Sequence, residues 1–186
     1  KSPAFRGVLE TAEGANMMVH RALGDRMQLA REFTEADLSS TFRGNGNRDI
    51  ETPEYQAMVA DGFADWRLEV RGMVAEPLSL SLEQIRAMPQ RTQITRHDCV
   101  EGWSAIGKWT GVPLKLLLDQ AGLKDGAKFL VFHCADSFRG TPYYESIDLI
   151  DAYHPQTILA HRLNDETLPV KNGAPLRLRV ERQLGY

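Results

Sequence analysis

Cysteine is scarce in this chain, with two among 186 residues. So low a number excludes a disulfide framework. A structural zinc site is excluded too, because neither Cys-x-x-Cys nor His-x-x-x-His spacing occurs. No apolar run approaches the roughly 18 residues that span a bilayer, so no transmembrane segment is expected. Positive charge is not in excess. A net charge of −3 gives no general attraction for nucleic acid or anionic lipid. Internal repeats and low-complexity tracts are absent. What is present is ordinary for a globular chain: 42% hydrophobic and 25% charged residues, enough for one sizeable core. The chain opens on Lys1-Ser2-Pro3 without methionine and ends at Leu184-Gly185-Tyr186 directly after a strand. The expectation is a processed or cut chain, with room for an export signal before it and a final element after it.

Patterning predicts an α+β domain with a mixed β-sheet or sandwich core and short peripheral helices. Residues 1–41 read as an N-terminal helical extension, in which VLETAEGANMMVHRALGD is followed by LAREFTEADL with Thr34 as an N-cap. Residues 42–186 form the main domain. TFRGNGNRDIETPEY is a long polar loop, of the kind more often functional than not. WRLEVRGMV alternates as a half-buried strand. Ser81 and Gln84 form a capping box for a short helix ending near Pro89. RTQITRH is a strand that delivers Cys99. Pro113 starts a helix over residues 114–120, and Gly122 stops it. KFLVFHCA suits a central strand. YESIDLIDAY reads as a helical turn capped from Ser146. TILAHRLN, a turn at Asn164–Glu166 and PLRLRV complete a β-rich C-terminal half.

Cys99 stands among His97, Asp98, Glu101 and Gly102, a polar surround unlike that of a structural cysteine. A thiolate there suits either metal binding or nucleophilic attack. His97, two residues away on the same strand face, is the only base at hand, and no oxyanion-hole motif accompanies it. Cys134, inside FLVFHC, reads as mainly structural, and His133 as a core residue. His154, next to Pro155, reads as a contact at a helix C-terminus. Arg177 and Arg179 share one strand face after the Asn172-Gly173-Ala174-Pro175 turn. They form either a solvated face or an anion pocket extended by Arg182 and Gln183. FRGNGNR, with Arg43, Asn45, Asn47 and Arg48, is anion-friendly but is not a P-loop.

HDCVEGWSAIGKWTGVPLKLLL resembles the cysteine motif of the sulfite oxidase-type molybdopterin-binding domain. DLIDAYHPQTILAHRLNDETLPVKNGAPLRLRVERQLGY resembles the rest of that domain. The similarity runs from about Trp66 to the end and more loosely back to FRGNG. It implies one molybdenum held by the dithiolene of a single pterin, with Cys99 as the protein's sulfur ligand, a soft donor suited to such a centre. It also implies pterin and phosphate contacts from Asn45, Asn172 and Arg177. Cys134 falls where the family approaches the pterin, and His97 is assigned to the cofactor surround. Glu101 and Trp103 would shape the approach to the metal.

True sulfite oxidases follow the cysteine with an arginine-bearing stretch. Here Val100-Glu101-Gly102-Trp103 follows, an acidic and aromatic surround that does not favour sulfite or nitrate. The chain looks more like the bacterial branch that includes the periplasmic methionine-sulfoxide reductase catalytic subunit. The expected activity is two-electron oxygen-atom transfer on a small S-oxide or N-oxide in the periplasm, with electrons from a separate haem or quinone-linked protein. The alternatives are a metal-free binding domain on the same fold, a sulfite-oxidising enzyme, and a thiol hydrolase using Cys99 and His97. The later dimerisation domain of the animal and plant enzymes is not in this chain, nor is the family's lysine-containing strand.

Overall fold

A computed structural model describes residues 28–44, 46, 48–138 and 141–186, together with 7–8, 11–12, 14–16 and 18–19. Most of the expected first helix, like Asn45 and Asn47, lies outside the described residues. Its described members, residues 7–8, 11–12, 14–16 and 18–19, are helical. LAREFTEADL is not a helix. Residues 28–34 run extended, and only a 3₁₀ turn at Glu35–Asp37 follows. The reason is competition for backbone groups. Phe33 N–H donates to Ile94 O at 2.8 Å, and the Gln156 side chain clasps both the N–H and the C=O of Ala30. Thr34 does start the short turn, with its N–H and hydroxyl both given to Asp37.

Pro53 sits in the first turn of α1 (Pro53–Ala60), where its missing N–H costs nothing. β1 (Arg67–Val70) and β2 (Leu78–Ser81) form an antiparallel pair. The Ser81–Gln84 capping box then opens α2 (Leu82–Ala87) as expected. β3 (Arg91–Asp98) and β4 (Ser104–Pro113) are the long antiparallel ladder of the main sheet. α3 (Leu114–Ala121) follows Pro113 and stops at Gly122.

β5 (Phe129–Phe138) corrects the central-strand expectation. Among the described residues it pairs only with β6 (Thr141–Asp148), in a ribbon separate from the main sheet. Phe129 and Val131 are exposed there, as are His133 and Cys134, so neither His133 nor Cys134 is a core residue. An apolar run cannot by itself distinguish a buried strand from a ribbon. YESI belongs to β6, and the cap of α4 (Leu149–Ala152) is Asp148, not Ser146: Asp148 Oδ1 accepts from Asp151 N–H at 3.0 Å. His154 follows α4 as read, and its N–H donates to Asp151 O.

β7 (Ile158–Leu163) lies between β4 and the short β8 (Glu166–Thr167), and β9 (Arg177–Arg179) also pairs with β7. Two apolar clusters pack around this sheet. One centres on Ile85, Val112, Leu117 and Leu118, with α2 and α3 pressed on the sheet. The other joins Phe42, Ala105, Trp109, Ile158 and Leu163. The second cluster backs the site. Among the described residues no helix is long and apolar enough to cross a membrane.

Candidate functional site

β3 buries alternate residues, Gln93, Thr95, His97 and then Cys99, so these four side chains share one face. Trp109 of β4 stands directly opposite Gln93 and shares that face. Past β3 the chain turns at once. Gly102 N–H returns to Cys99 O at 3.0 Å, and Cys99 N–H donates to Trp103 O at 2.9 Å. The cysteine is thereby fixed at the end of the ladder, 5% exposed, while Val100 at the tip is 75% exposed.

The three sequence motifs meet here. Asn172 is buried, and its side-chain amide donates to Arg43 O at 3.1 Å. Gly44 lies so close to the 170–172 turn that a Cβ on it would stand 2.6 Å from Lys171 O. On the other side Glu101 accepts from Trp103 Nε1 at 3.1 Å and from Gly46 N–H at 3.4 Å. Those two hydrogen bonds, the indole's first, hold its carboxyl below the usual carboxylate range. Phe42 stacks edge-on against both Trp103 and Trp109, and its ring centre is 5.9 Å from that of His97. Tyr55 of α1 braces the NGAP turn from behind through its hydroxyl, which donates to Ala174 O at 2.5 Å. The Ala174–Pro175 bond in that turn is cis.

β9 supplies the charge. Arg177 and Arg179 are not a solvated face: both guanidinium groups lie over the buried Trp109 ring, at 5.5 and 4.7 Å. Arg177 also donates to Asn172 O at 3.2 Å. Burial, and then Arg179, draw it down to about 10, while Cys99 and Glu181 act the other way. It stays a cation at neutral pH, shifted in the direction that a bound anion would reverse. Arg179 is bound by Glu181 through Nε and Nη2, at 3.2 and 2.8 Å, with both side chains buried. Burial, and then Arg179 and Arg177, depress His97 to about 4, so it is neutral at pH 7.

This face has more donors than the protein uses. Buried atoms without a protein partner among the described residues include His97 Nε2, Trp109 Nε1 and Thr95 Oγ1. Native interiors rarely leave such atoms unpaired. With two cations and a thiol beside them, they suit an anionic ligand rich in acceptors. No group of three or more metal-ligating side chains occurs among the described residues. A metal here would therefore bring most of its ligands with it. Cys134 is exposed on the β5–β6 ribbon, whose Glu145 accepts from the Tyr186 hydroxyl at 3.0 Å. Partial desolvation, followed by the carboxylates of Asp136 and Glu145, pushes its thiol up to about 11.

Sequence reading did not find Phe42, Trp109 or Glu181. Nothing local announced that two arginines from a strand almost 70 residues away would cover Trp109.

The family described as "Oxidoreductase molybdopterin binding domain" matches residues 53–186. A putative protein-methionine-sulfoxide reductase subunit of Azospira oryzae is 42% identical over 172 residues, 92% of this chain and 62% of that protein. The protein-methionine-sulfoxide reductase catalytic subunit of Gluconobacter oxydans is 37% identical over 65% of this chain and 43% of its own length. That of Campylobacter jejuni is 34% identical over 66% and 45%. The chain thus spans between two fifths and two thirds of the length of these relatives. Among solved structures, the sulfane dehydrogenase SoxCD of Paracoccus pantotrophus superposes with a TM-score of 0.57 at 27% identity, over 63% of this chain and 34% of that one. The mixed sheet with short helices is that of a sulfite oxidase-type fold, and the chain belongs to the family of molybdopterin-binding oxidoreductase domains.

Proposed function

We propose that this chain is the molybdenum-bearing part of a reductase that removes oxygen from sulfoxides, with methionine sulfoxide as the substrate class. The observation that carries the reading is the convergence of the FRGNG loop, the Cys99 turn and the NGAP–β9 segment on one buried face with more donors than acceptors. Cys99 would give its sulfur to the metal of a single-pterin cofactor. Asn172, Arg177 and, by resemblance, Asn45 would hold the pterin and its phosphate, which needs the donors that this face leaves unpaired. When bound, that group supplies the two-electron redox chemistry. Glu101 and Trp103, tied to one another, would form the wall that a substrate passes. Two electrons and two protons convert a sulfoxide to a thioether and water. The electrons would come from a separate haem or quinone-linked protein, in the periplasm. A thiol hydrolase is disfavoured, because a His97 depressed to about 4 is a poor general base near neutral pH.

The test is metal and cofactor analysis of protein purified from a host that makes the molybdenum cofactor. A stoichiometric complement of molybdenum, a thiolate-to-metal absorption band, loss of both in Cys99→Ser, and reduction of methionine sulfoxide by the reduced wild type are expected. Molybdenum in neither form would replace this reading with the metal-free binding domain. Turnover of sulfite but not of sulfoxide would replace it with the sulfite-oxidising enzyme. Gly44→Ala gives a second check. Its methyl would be driven against Lys171 O, between two surface loops. Cofactor retention should fall roughly tenfold, and the thermal midpoint of the cofactor-free protein should fall with it, because the obstructing atom is backbone.

A further inference from the structure

His97 carries a buried atom with no partner among the described residues, and the contacts of its other ring nitrogen bear on which tautomer it takes. Its Nδ1 lies 2.8 Å from Arg179 Nη1. A guanidinium has hydrogens to give and no acceptor. Read as a hydrogen bond, that contact makes Nδ1 the acceptor and puts the single proton of the neutral ring on Nε2; an Nδ1–H given instead to Tyr186 O at 2.9 Å would set two donors face to face. The other hydrogen of the same Nη1 is given to Tyr186 O. The 2.9 Å approach of Nδ1 to that carbonyl is then two acceptors sharing one donor. Arg179 is not able to swing away from this duty. Glu181 holds it through two nitrogens, Gln93 Nε2 holds Glu181 at 2.9 Å, and the Trp109 ring lies beneath the guanidinium.

The Nε2 atom is buried without a partner among the described residues, in a residue only 2% exposed. The rings beside it, Phe42 and Trp103, offer no lone pair in the plane of an N–H. A buried donor left unpaired is costly, so a network of four residues arranged to create one calls for a purpose. His97 also shares its strand face with Cys99, two residues on.

We propose that Arg179 is a positioning residue that fixes the tautomer of His97, and that the His97 Nε2–H is a hydrogen-bond donor reserved for the molybdenum–pterin group bound at Cys99. The second half rests on the function proposed above, whereas the first does not. Glu181 and Gln93 serve the same end by holding Arg179, and an outer support of this kind governs how firmly a metal group is held.

Two measurements test it. Long-range ¹⁵N–¹H correlation spectra of the cofactor-free wild type should show His97 with a protonated Nε2 and a bare Nδ1. A protonated Nδ1 in that spectrum would overturn the tautomer assignment and with it the proposal. In cofactor-loaded protein, retention of molybdenum and pterin under dialysis should fall about 10- to 100-fold in His97→Phe, which keeps a ring but has no donor. His97→Gln, whose amide nitrogen takes the place of Nε2, should restore most of it. Equal retention in all three proteins would overturn the donor role. Equal loss in Phe and Gln, with matching thermal midpoints of the cofactor-free forms, would reduce His97 to a shape requirement and overturn it as well. Should the wild type take up no cofactor, the function proposed above fails together with the donor role, and the tautomer spectrum still decides the role of Arg179 separately.

Discussion

Glu181→Ala is expected to cost the protein about 3–5 kcal/mol of stability. The side chain is fully buried and neutralises Arg179, which is itself buried over Trp109. Removing one partner of such a pair leaves the other charge in a medium that solvates it poorly. The loss should show as a fall in the urea midpoint at constant slope, measured on cofactor-free protein. Replacing both partners, as Arg179→Met with Glu181→Leu, should recover most of it, because a buried ion pair adds little beyond a hydrophobic pair of similar volume. If the double variant is as unstable as the single, packing rather than charge explains the cost. The exposed Lys115–Asp119 pair is the internal control. It joins residues four apart on α3, and Asp119→Ala should cost no more than about 0.5 kcal/mol.

Gly111→Ala should be as damaging, for a steric reason. The ladder between β4 and β7 changes register between Thr110 and Gly111, and the two backbones come together there. A Cβ at 111 would stand 2.2 Å from Leu159 O and 2.5 Å from Ala160 Cα. Neither is an atom that a rotamer change can move aside. The cost should reach or exceed the roughly 3 kcal/mol upper end for overpacking. The strain should also reach the site, since Ala160 is the register partner of Arg177 and Leu159 that of Leu178. Stability and cofactor retention should therefore fall together. A Gly111→Ala protein of wild-type stability would mean that the two strands are further apart in solution.

What the sequence made legible is what local chemistry controls. The Ser81 capping box, the proline before α3, the alternation of β3 that carries Cys99 inward, and the turn before β9 all follow from residues within one or two turns of each other. The elements misread were decided at long range. LAREFTEADL has the composition of a helix, yet its backbone is taken by Ile94 and by the side chain of Gln156, more than 120 residues later. KFLVFHCA has the composition of a buried strand, yet β6 is its sole strand partner among the described residues, and Phe129, Val131, Cys134 and Ala135 are exposed. In the site, the thiol and the arginine that follow recognisable turns were readable in advance. The aromatic wall was not, because Phe42, Trp103 and Trp109 come from three segments that only the fold assembles. The arginine pair was readable as a pair, but its choice between solvent and interior depended on Trp109 and Glu181.

The extended run before residue 42 has a consequence for the sheet as a whole. β3 is an outermost strand of the main sheet, and its free side would otherwise present open amides and carbonyls to other molecules. The Glu32–Thr95 bridge and the Phe33–Ile94 hydrogen bond occupy that side. A row of unclaimed peptide groups is a template for strand addition by a neighbouring chain. The strap therefore guards against self-association at the strand that leads to Cys99, although the family match begins only at residue 53.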